Sequence, residues 1–419
     1  MPSSLLRQQN FAALVALAWL MVALTLLLVH WPSTAETLLD TDDAFRLAQL
    51  HAWLGGQGWF DLHQPRMQPP EGYDTHWSRL IDAGLATLLF VFRIFADAAM
   101  AERLMRAWWP LLWLLPTIAG MAMIAWRIAG REAAMFALLL ALVGVPGYQQ
   151  FMPGRIDHHN VQIALTLLAV AATVWSERIA WAALAAGALS GAALTIGFEA
   201  APYLIACALA LALRFIVLPG SARDLRDYGL ALAGSSLFGF LITVGPQHWL
   251  RHSCDSLAIN TLPAIVCGGL MLAMTAWLSH AQIVTRVMAV AGAGLLSIAV
   301  LLLIEPLCRR GPFGLVDPAI RPIWLDHVRE LQPLATVFRI NPLTAAAIAA
   351  FPAAAVVATL VLLCDPLLRR DFGPLAAMLA FGASVLVTLG AIRGYSYAIW
   401  LGMPMVAVMG LRLIAAQYQ

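Results

Sequence analysis

Three carboxylates lie within four residues, a few residues past the first apolar segment of the chain. They are Asp40, Asp42 and Asp43 in the sequence LLDTDDAF. Carboxylates this close repel one another unless a cation or arginine side chains neutralise them. An oxygen-rich site of this kind suits Mg²⁺ or Mn²⁺. A solvated helix N-cap, where aspartate is favoured, explains the same cluster equally well, so both interpretations stay open.

A second polar cluster, PGRIDHHN, occupies residues 153–160 just before another apolar segment. Asp157 and His159 are able to supply one oxygen and one nitrogen ligand to the same metal ion. Arg155 is suited to holding a phosphate group. The alternative is a polar loop whose aspartate and asparagine cap the next helix, and capping is compatible with a functional role.

Other polar residues lie near the ends of apolar segments. Glu199 lies in the tight hairpin GFEAAP, where an ionisable group is a functional candidate by default and interfacial snorkelling is the alternative. The remaining candidates, each more consistent with a structural role when taken alone, are His76 in EGYDTHWSR, Glu330 in RELQP, and Arg393 with Tyr395 in RGYSYAIW.

The composition decides the class of protein. Of the 419 residues, 61% are hydrophobic and 11% are charged, and the mean hydropathy is +0.80. Soluble domains are roughly 45–50% apolar and about 25% charged. The composition therefore excludes a soluble enzyme and a disordered chain, and with a net charge of +2 it also excludes a nucleic-acid-binding domain. All 25 basic residues are arginines, whose guanidinium groups suit bidentate phosphate contacts.

We predict an all-α polytopic membrane bundle that forms a single transmembrane domain over residues 1–419, because a span needs about 20 apolar residues. Two long polar interruptions, 32–105 and 305–341, are predicted to be outer loops that contain short surface helices. Residues 80–95 are apolar but short and interrupted by Asp82 and Arg93, so we predict a surface helix there. The twelve predicted spans are about 11–31, 106–126, 132–148, 160–176, 180–197, 200–217, 228–246, 257–278, 286–304, 342–363, 374–391 and 395–415.

The distribution of arginines predicts the orientation. Eleven arginines lie at the ends of spans on one side and three lie in the short loops on the other, which places the first side in the cytoplasm. Five arginines in the second long loop weaken this bias without reversing it. Both long loops and every polar cluster named above then face the outer side, which we take to be the periplasmic face of a bacterial inner membrane. This convergence favours work on an anionic, membrane-held phosphate substrate.

The cysteines give no sign of a bridged or metal-bound framework. There are five, widely spaced and without a CxxC pair, and most lie in or beside apolar runs. We therefore expect small apolar packing residues, with neither a disulfide framework nor a zinc site.

These short blocks, in their order along the chain, resemble the membrane domain of the oligosaccharyltransferase catalytic subunits (bacterial PglB, archaeal AglB and their eukaryotic counterpart). The resemblance runs from about residue 10 to 415. Asp43-Ala44-Phe45 is similar to the family segment that carries a metal-binding aspartate, with Asp42 and Asp40 as alternatives. Residues 154–159 resemble the second Asp-x-Asp or Asp-x-Glu motif, with His159 where an acid is usual.

Two further blocks resemble late motifs of this family. The segment Glu330-Leu331-Gln332-Pro333 is similar to the glutamate motif of the large outer loop. Arg393-Gly394-Tyr395 resembles the block whose arginine contacts the lipid phosphate. Residues 1–419 contain no block that resembles the Trp-Trp-Asp-Tyr-Gly motif of the family's soluble C-terminal domain. We therefore do not expect asparagine-linked protein glycosylation, and the acceptor is left open.

The resemblance implies a C-type fold and a glycosyltransferase that uses a polyprenyl-phosphate or polyprenyl-diphosphate sugar, with a Mg²⁺ or Mn²⁺ ion. A transporter or flippase of a lipid-linked glycan or another anion is the alternative, although transporters favour internal repeats and charges near the midplane. Taking the residues and the resemblance together, we predict Asp43, Asp42, Asp157 and Glu330 as catalytic residues, Asp43, Asp157 and His159 as metal ligands, and Arg155, Arg393, Tyr395, His76 and Glu199 as substrate contacts. Asp43 or Asp157 would either hold the metal or act as the general base, and the sequence does not choose between these two roles.

Overall fold

The structure, a computed structural model, describes residues 8–36, 38 and 40–417, and in this part of the chain it is almost entirely helical. The all-α prediction is confirmed; a two-stranded antiparallel sheet, β1 His63–Gln64 paired with β2 Tyr73–Asp74, is a small exception within the first long loop. The helices are α1 Gln8–His30, α2 Ser33–Glu36, α3 Thr41–Leu54, α4 Arg79–Phe92, α5 Ala98–Val143, α6 His159–Trp175, α7 Ala182–Ile196, α8 Ala201–Val217, α9 Ala222–Thr243, α10 Thr261–Thr275, α11 Ile283–Ile304, α12 Leu334–Ile340, α13 Pro342–Leu363, α14 Phe372–Gly390 and α15 Tyr395–Ala416.

Eight helical stretches within the described residues are long and apolar enough to cross a membrane. The longest, α5, breaks at Ala129–Gly130, where Gly130 has φ +81°, a conformation that glycine adopts without strain. This break falls between two of the predicted spans. Helices α6 and α7 are apolar but shorter, and α9 begins with charged turns. The membrane helical bundle is therefore supported, whereas the total of twelve spans stays a prediction.

The core lies where α5, α6, α8, α14 and α15 pack together. Trp400 of α15 is fully buried there, and its indole N–H donates to the carbonyl of Gly147 at 3.0 Å. A second row runs from α7 through α9 to α10. A Cβ on Gly229 of α9 would lie 2.3 Å from the carbonyl oxygen of Gly269 of α10. Small residues therefore allow these two helices to approach closely, as is common in membrane bundles.

The first long loop contains a buried polar network that ties α3 to α4. Asp82 of α4 accepts hydrogen bonds from Arg46 at 3.1 Å, Gln49 at 2.7 Å and Arg79 at 2.9 Å. All four side chains are fully buried. The carboxylate that interrupts the apolar run 80–95 is thus turned inward, and the predicted helix forms as α4. Because α3 carries Asp42 and Asp43, this network sets the direction in which those acids point.

The prediction that the cysteines form no disulfide is wrong for two of them. Cys254 and Cys308 are bonded, across 54 residues of sequence. The bond joins the loop between α9 and α10 to the start of the second long loop. Local spacing does not reveal a partner so far away, since bridge connectivity depends on the fold. Cys207 is buried, as expected of a packing residue, and Cys267 and Cys364 are also free.

A buried arginine joins α5 to α14 at the opposite end of the bundle from the polar clusters of the two long loops. Arg127 donates to both carboxylate oxygens of Asp371, at 2.9 and 2.6 Å, and also to Glu177. Asp371 additionally caps α14 by accepting from the backbone N–H of Gly373 at 3.2 Å. The Arg127 side chain is fully shielded from solvent, so the two carboxylates, and not water, stabilise its positive charge.

Replacing Asp371 with alanine is expected to lower the free energy of unfolding by about 3 kcal/mol, because it leaves a buried guanidinium partly unpaired. The measurement is an unfolding titration of the purified protein in detergent. Glu71→Ala, at an exposed position, is the matched control and should leave stability within about 0.5 kcal/mol of the parent. Equal stabilities of all three proteins would contradict this role for Arg127.

Candidate active site

At one end of the bundle, the first turn of α3 is bonded directly to the segment that precedes α6. Asp43 is fully buried. Its Oδ1 accepts from the backbone N–H groups of Ile156 at 2.8 Å and Asp157 at 3.0 Å. Its Oδ2 accepts from Arg155 at 3.0 Å. Asp43 therefore fixes the position of the second polar cluster across more than a hundred residues of sequence.

Arg155 uses its guanidinium donors inside the protein. Besides Asp43, it donates to Asp40 at 2.9 Å and to Gln150 at 2.9 Å. Asp40 also caps α3, accepting from the backbone N–H of Asp42 at 3.4 Å, so the capping interpretation of the acidic cluster is correct for this residue. These contacts give Arg155 a positioning role, and its binding of phosphate stays a prediction.

Asp157, His158 and His159 form a compact group of metal-type ligands. One ligand atom from each lies within 4.8 Å of the others. The backbone N–H of His158 donates to Asp157 Oδ1 at 2.6 Å. The buried Asp157 Oδ2 has no aligned hydrogen-bond donor in the described part of the chain, although His159 Nε2 lies 3.2 Å away. A buried carboxylate oxygen without a hydrogen-bond donor needs another partner, and a bound cation would provide one.

The donor set fits a divalent transition metal. Two imidazole nitrogens and a carboxylate oxygen suit Zn²⁺ or Mn²⁺ better than Mg²⁺, which prefers oxygen ligands. Burial lowers the pKa of His158, with the charge of His159 acting in the same direction against the opposing effect of Asp157. A lowered pKa favours the neutral imidazole, which is the form that binds metals.

Glu199 connects this group to Arg393. It lies in the 3-10 turn Phe198–Ala200 before α8, with Oε2 2.7 Å from His159 Nδ1 and Oε1 3.7 Å from His158 Nε2. The other contact of Oε1 is an ion pair with the guanidinium of Arg393, at the start of α15. A carboxylate on the second nitrogen of a ligand histidine fixes its tautomer and orientation. Arg393, Glu199, His159 and Asp157 thus form one continuous chain of contacts.

The two neighbouring aspartates of α3 differ in their surroundings. Asp42 is half-buried, and no side chain among the described residues forms a hydrogen bond or ion pair with its carboxylate. Burial raises the pKa of Asp42, and the nearby carboxylates of Asp157 and Asp40 raise it further. Burial also raises the pKa of Asp43, to about 6, because Arg155 only partly offsets it. The three hydrogen bonds that Asp43 accepts, one of them from a guanidinium, favour its ionised form.

The remaining predicted residues lie beside this site without a direct bond to it. His76 Nε2 lies 3.8 Å from Asp255 Oδ2, in the wall of a separate cavity. The segment that carries Glu330 reaches the start of α15, since the carbonyl of Gln332 accepts from the backbone N–H of Ile392 at 3.0 Å. Within the described chain, no hydrogen bond or ion pair joins Glu330 or Tyr395 to the metal-type ligands. Their roles stay predictions.

Two features of the site were not predicted as site residues. His158 completes the ligand group, and its position next to His159 in the DHH sequence is the signal that could have identified it. Arg46 lies over the ring of Trp77, 4.6 Å from its centroid, and the Trp77 ring lies 5.6 Å from that of His158. This contact extends the α3–α4 network to the ligands. Arg46 and Trp77 are far apart in sequence, and no motif joins them.

The chain resembles known proteins in structure but not detectably in sequence. No protein-family profile and no curated protein matches it. Three solved structures of the Archaeoglobus fulgidus oligosaccharyltransferase do match, each at 16% identity. The structure with an inhibitory peptide and a dolichol-phosphate has a TM-score of 0.66 and the match covers 99% of this chain and 52% of that chain. For the structure with Zn and sulfate the TM-score is 0.67 and the match covers 97% of this chain and 49% of that chain, and for the structure tethered to an acceptor peptide the TM-score is 0.68 and the match covers 99% of this chain and 51% of that chain. The present chain spans about half the length of the archaeal protein. It has an oligosaccharyltransferase-like fold, as the sequence motifs predicted.

Proposed function

We propose that a chain with this fold and this polar site is a membrane glycosyltransferase. It transfers a sugar or oligosaccharide from a polyprenyl-phosphate or polyprenyl-diphosphate donor to an acceptor. The observation that carries the proposal is the chain of contacts from Arg393 through Glu199 to His159 and Asp157 at one end of an apolar bundle. The fold adds support, because structures of the similar Archaeoglobus fulgidus oligosaccharyltransferase contain a dolichol-phosphate in one case and Zn with sulfate in another.

Arg393 is the group that binds the donor phosphate. A guanidinium presents paired N–H donors that match phosphate oxygens. In the structure these donors face Glu199, so an incoming phosphate competes with Glu199 for the same cation. When the bond between the sugar and the phosphate breaks, negative charge develops on the leaving phosphate oxygen, and a fixed cation stabilises that charge without transferring a proton.

Asp157, His158 and His159 would hold a divalent metal ion. When bound, the metal supplies Lewis-acid stabilisation of the phosphate oxygens. Glu199 orients His159, and Asp43 holds the backbone of the ligand segment in place. Direct ligation by Asp43, which the sequence motif predicts, remains part of the proposal, because its Oδ2 has lone-pair capacity beyond the bond to Arg155.

Asp42 is our candidate for the general base that accepts the proton of the acceptor hydroxyl. Its carboxylate lies near Asp157, His158 and His159. It has no hydrogen-bond or ion-pair partner among the described side chains and its pKa is raised, and a general base needs both properties. Asp43 and Asp157 are less suited to this role, since both already accept hydrogen bonds from backbone N–H groups. Glu330 lies on the segment next to Arg393 and is assigned to the acceptor side.

The site is proposed to face the outer side of a bacterial inner membrane. The arginine bias supports this orientation. The disulfide between Cys254 and Cys308 supports it independently, because both cysteines lie in predicted outer segments and disulfides persist in oxidising compartments. No observation on the described residues favours the transporter alternative.

The direct test of the function is an incubation of the purified protein in lipid nanodiscs with radiolabelled polyprenyl-phosphate sugars and a membrane-glycan extract, with and without Mn²⁺ or Mg²⁺. We expect labelled product and released polyprenyl phosphate, with Mn²⁺ supporting the higher rate. Absence of both products with every donor and metal would contradict the proposal.

Replacing Arg393 with alanine is expected to raise the KM for the donor by about 10- to 100-fold, because a hydrogen bond to a charged group contributes roughly 1.5–3 kcal/mol. Arg393→Lys should recover part of the loss, since it restores the charge without the paired donors. The measurement is the donor-dependent initial rate. Arg412→Ala, which removes an arginine from the C-terminal end of α15, is the control. An unchanged KM in Arg393→Ala would remove Arg393 from phosphate binding.

A further inference from the structure

A second cavity lies beside the candidate site and has no role in the function proposed so far. It encloses about 430 Å³, within the range of small-molecule sites. Four parts of the chain contribute most of its lining: the segment around β2, the C-terminal end of α7, the loop between α9 and α10, and the second long loop. We call it the loop cavity and define it by the lining residues Tyr73, His76, Arg251, Asp255, Phe313 and Trp324.

The loop cavity is held in shape by covalent and ionic links. The Cys254–Cys308 disulfide joins two of its walls, the loop between α9 and α10 and the second long loop. Arg251 of one wall pairs with Asp74 of another at 2.6 Å. The loop between α9 and α10 is therefore tied to both long loops, and a disulfide and an ion pair restrict the separation of the cavity walls.

The polar groups of the loop cavity are both donors and acceptors. Asp255 accepts from the hydroxyl of Ser253 at 2.7 Å, and its other oxygen faces His76. Arg251 adds a guanidinium that is partly exposed. His248 also lines the cavity, and its buried Nδ1 has no hydrogen-bond partner among the described residues.

Aromatic rings complete the lining. Tyr73 and Trp324 are exposed and lie on different walls. Flat apolar faces next to carboxylate acceptors and guanidinium donors match the chemistry of a sugar. A sugar ring presents an apolar C–H face and a rim of hydroxyls that donate and accept hydrogen bonds.

The loop cavity and the candidate site share a wall. The backbone N–H of Phe198 donates to the carbonyl of Asp255 at 3.2 Å, and Phe198 immediately precedes Glu199. Gly197 lines the cavity, and a Cβ on it would lie 3.9 Å from the His158 ring. A ligand in the cavity would therefore end next to the metal-type ligands.

We propose that the loop cavity is a carbohydrate subsite, which holds a sugar ring of one of the substrates while the reacting bond lies at the Asp157–His159 group. The assignment of the cavity as a substrate subsite rests on the proposed function. The binding of a sugar in the cavity can be measured whether or not the protein transfers sugars. The shared chemistry is a hydroxyl-rich ring, and it has two sources: the sugar of the lipid-linked donor, or a glycan acceptor.

The test is saturation-transfer NMR on the purified protein in nanodiscs with a panel of methyl hexosides, methyl pentosides and methyl N-acetylhexosaminides. We expect transfer to at least one glycoside. Asp255→Asn and Trp324→Ala should weaken that binding by about tenfold or more. Their matched controls are Asp97→Asn, at an exposed helix cap, and Trp181→Ala, at an exposed position on another part of the bundle. Both controls should bind as the parent does.

Asp157→Asn separates this proposal from the proposed function. This variant should bind the glycoside as the parent does even if it has no glycosyltransferase activity. A negative transferase assay therefore does not decide whether the cavity binds a sugar. Adding a polyprenyl-phosphate sugar then identifies the source. Displacement of the glycoside assigns the subsite to the donor sugar, and simultaneous binding assigns it to an acceptor. If no glycoside gives a saturation-transfer signal, or if Asp255→Asn and Trp324→Ala bind the glycoside as tightly as the parent, the carbohydrate subsite is ruled out.

Discussion

Replacing Asp157 with asparagine is expected to lower the rate of sugar transfer by about 10²–10³-fold or more, the usual effect of removing a group that stabilises developing charge. Asparagine keeps the size of the side chain, and its carbonyl still accepts from the His158 backbone N–H. The change removes the anionic oxygen that has no aligned donor. The measurements are the transfer rate and the metal content of the purified protein, and both should fall together.

The control for this prediction is Asp97→Asn, the same chemical change at the exposed cap of α5, which should leave the rate and the metal content unchanged. Transfer by Asp157→Asn at the parental rate would contradict the assignment of Asp157 as a metal ligand. A fall in rate with full metal content would restrict its role to substrate binding.

Replacing Asp43 with alanine is expected to abolish transfer and to lower the free energy of unfolding by about 3–5 kcal/mol. The change deprives two buried backbone N–H groups of their acceptor and removes one of the two carboxylates that neutralise Arg155. The protein should still insert in the membrane, because the apolar helices do not depend on Asp43. An unfolding titration in detergent and a transfer assay measure the two effects.

Asp42→Ala is the matched comparison, since the two aspartates are adjacent on α3. The carboxylate of Asp42 has no hydrogen-bond or ion-pair partner among the described side chains, so its loss should reduce transfer while leaving stability within about 0.5 kcal/mol of the parent. Full stability of Asp43→Ala would show that Asp43 does not position the second cluster. Retained transfer in that variant would remove Asp43 from the chemistry altogether.

The architecture and the meeting of the polar clusters were predictable because charged residues are scarce in this chain. In an apolar sequence, each ionisable group has a specific energetic reason to be present. The acids at 40–43, the DHH sequence, Glu199 and Arg393 were all assigned to one side, and the structure brings them to one end of the bundle. The resemblance to oligosaccharyltransferases, based on short motifs, was confirmed as a likeness of fold.

The division of roles between Asp42 and Asp43 was not predictable. Successive residues of a helix point about 100° apart, so the rotation of α3 decides which of the two faces the second cluster. That rotation is fixed by the buried bonds of Asp82 to Arg46, Gln49 and Arg79. In the sequence, Asp82 appeared only as an interruption of an apolar run. The Cys254–Cys308 bridge was missed for the same reason, since its two ends come together only through the fold.

The most direct measurement of the central claim is pulsed electron paramagnetic resonance of the protein loaded with Mn²⁺, before and after the addition of polyprenyl phosphate. The site described above predicts couplings from two imidazole nitrogens, lost in the His158→Ala and His159→Ala double variant. It also predicts a ³¹P coupling that appears with the lipid and weakens in Arg393→Ala. A bound Mn²⁺ without nitrogen couplings, or without any ³¹P coupling in the parent, would show that the metal, the histidines and the phosphate do not share one site.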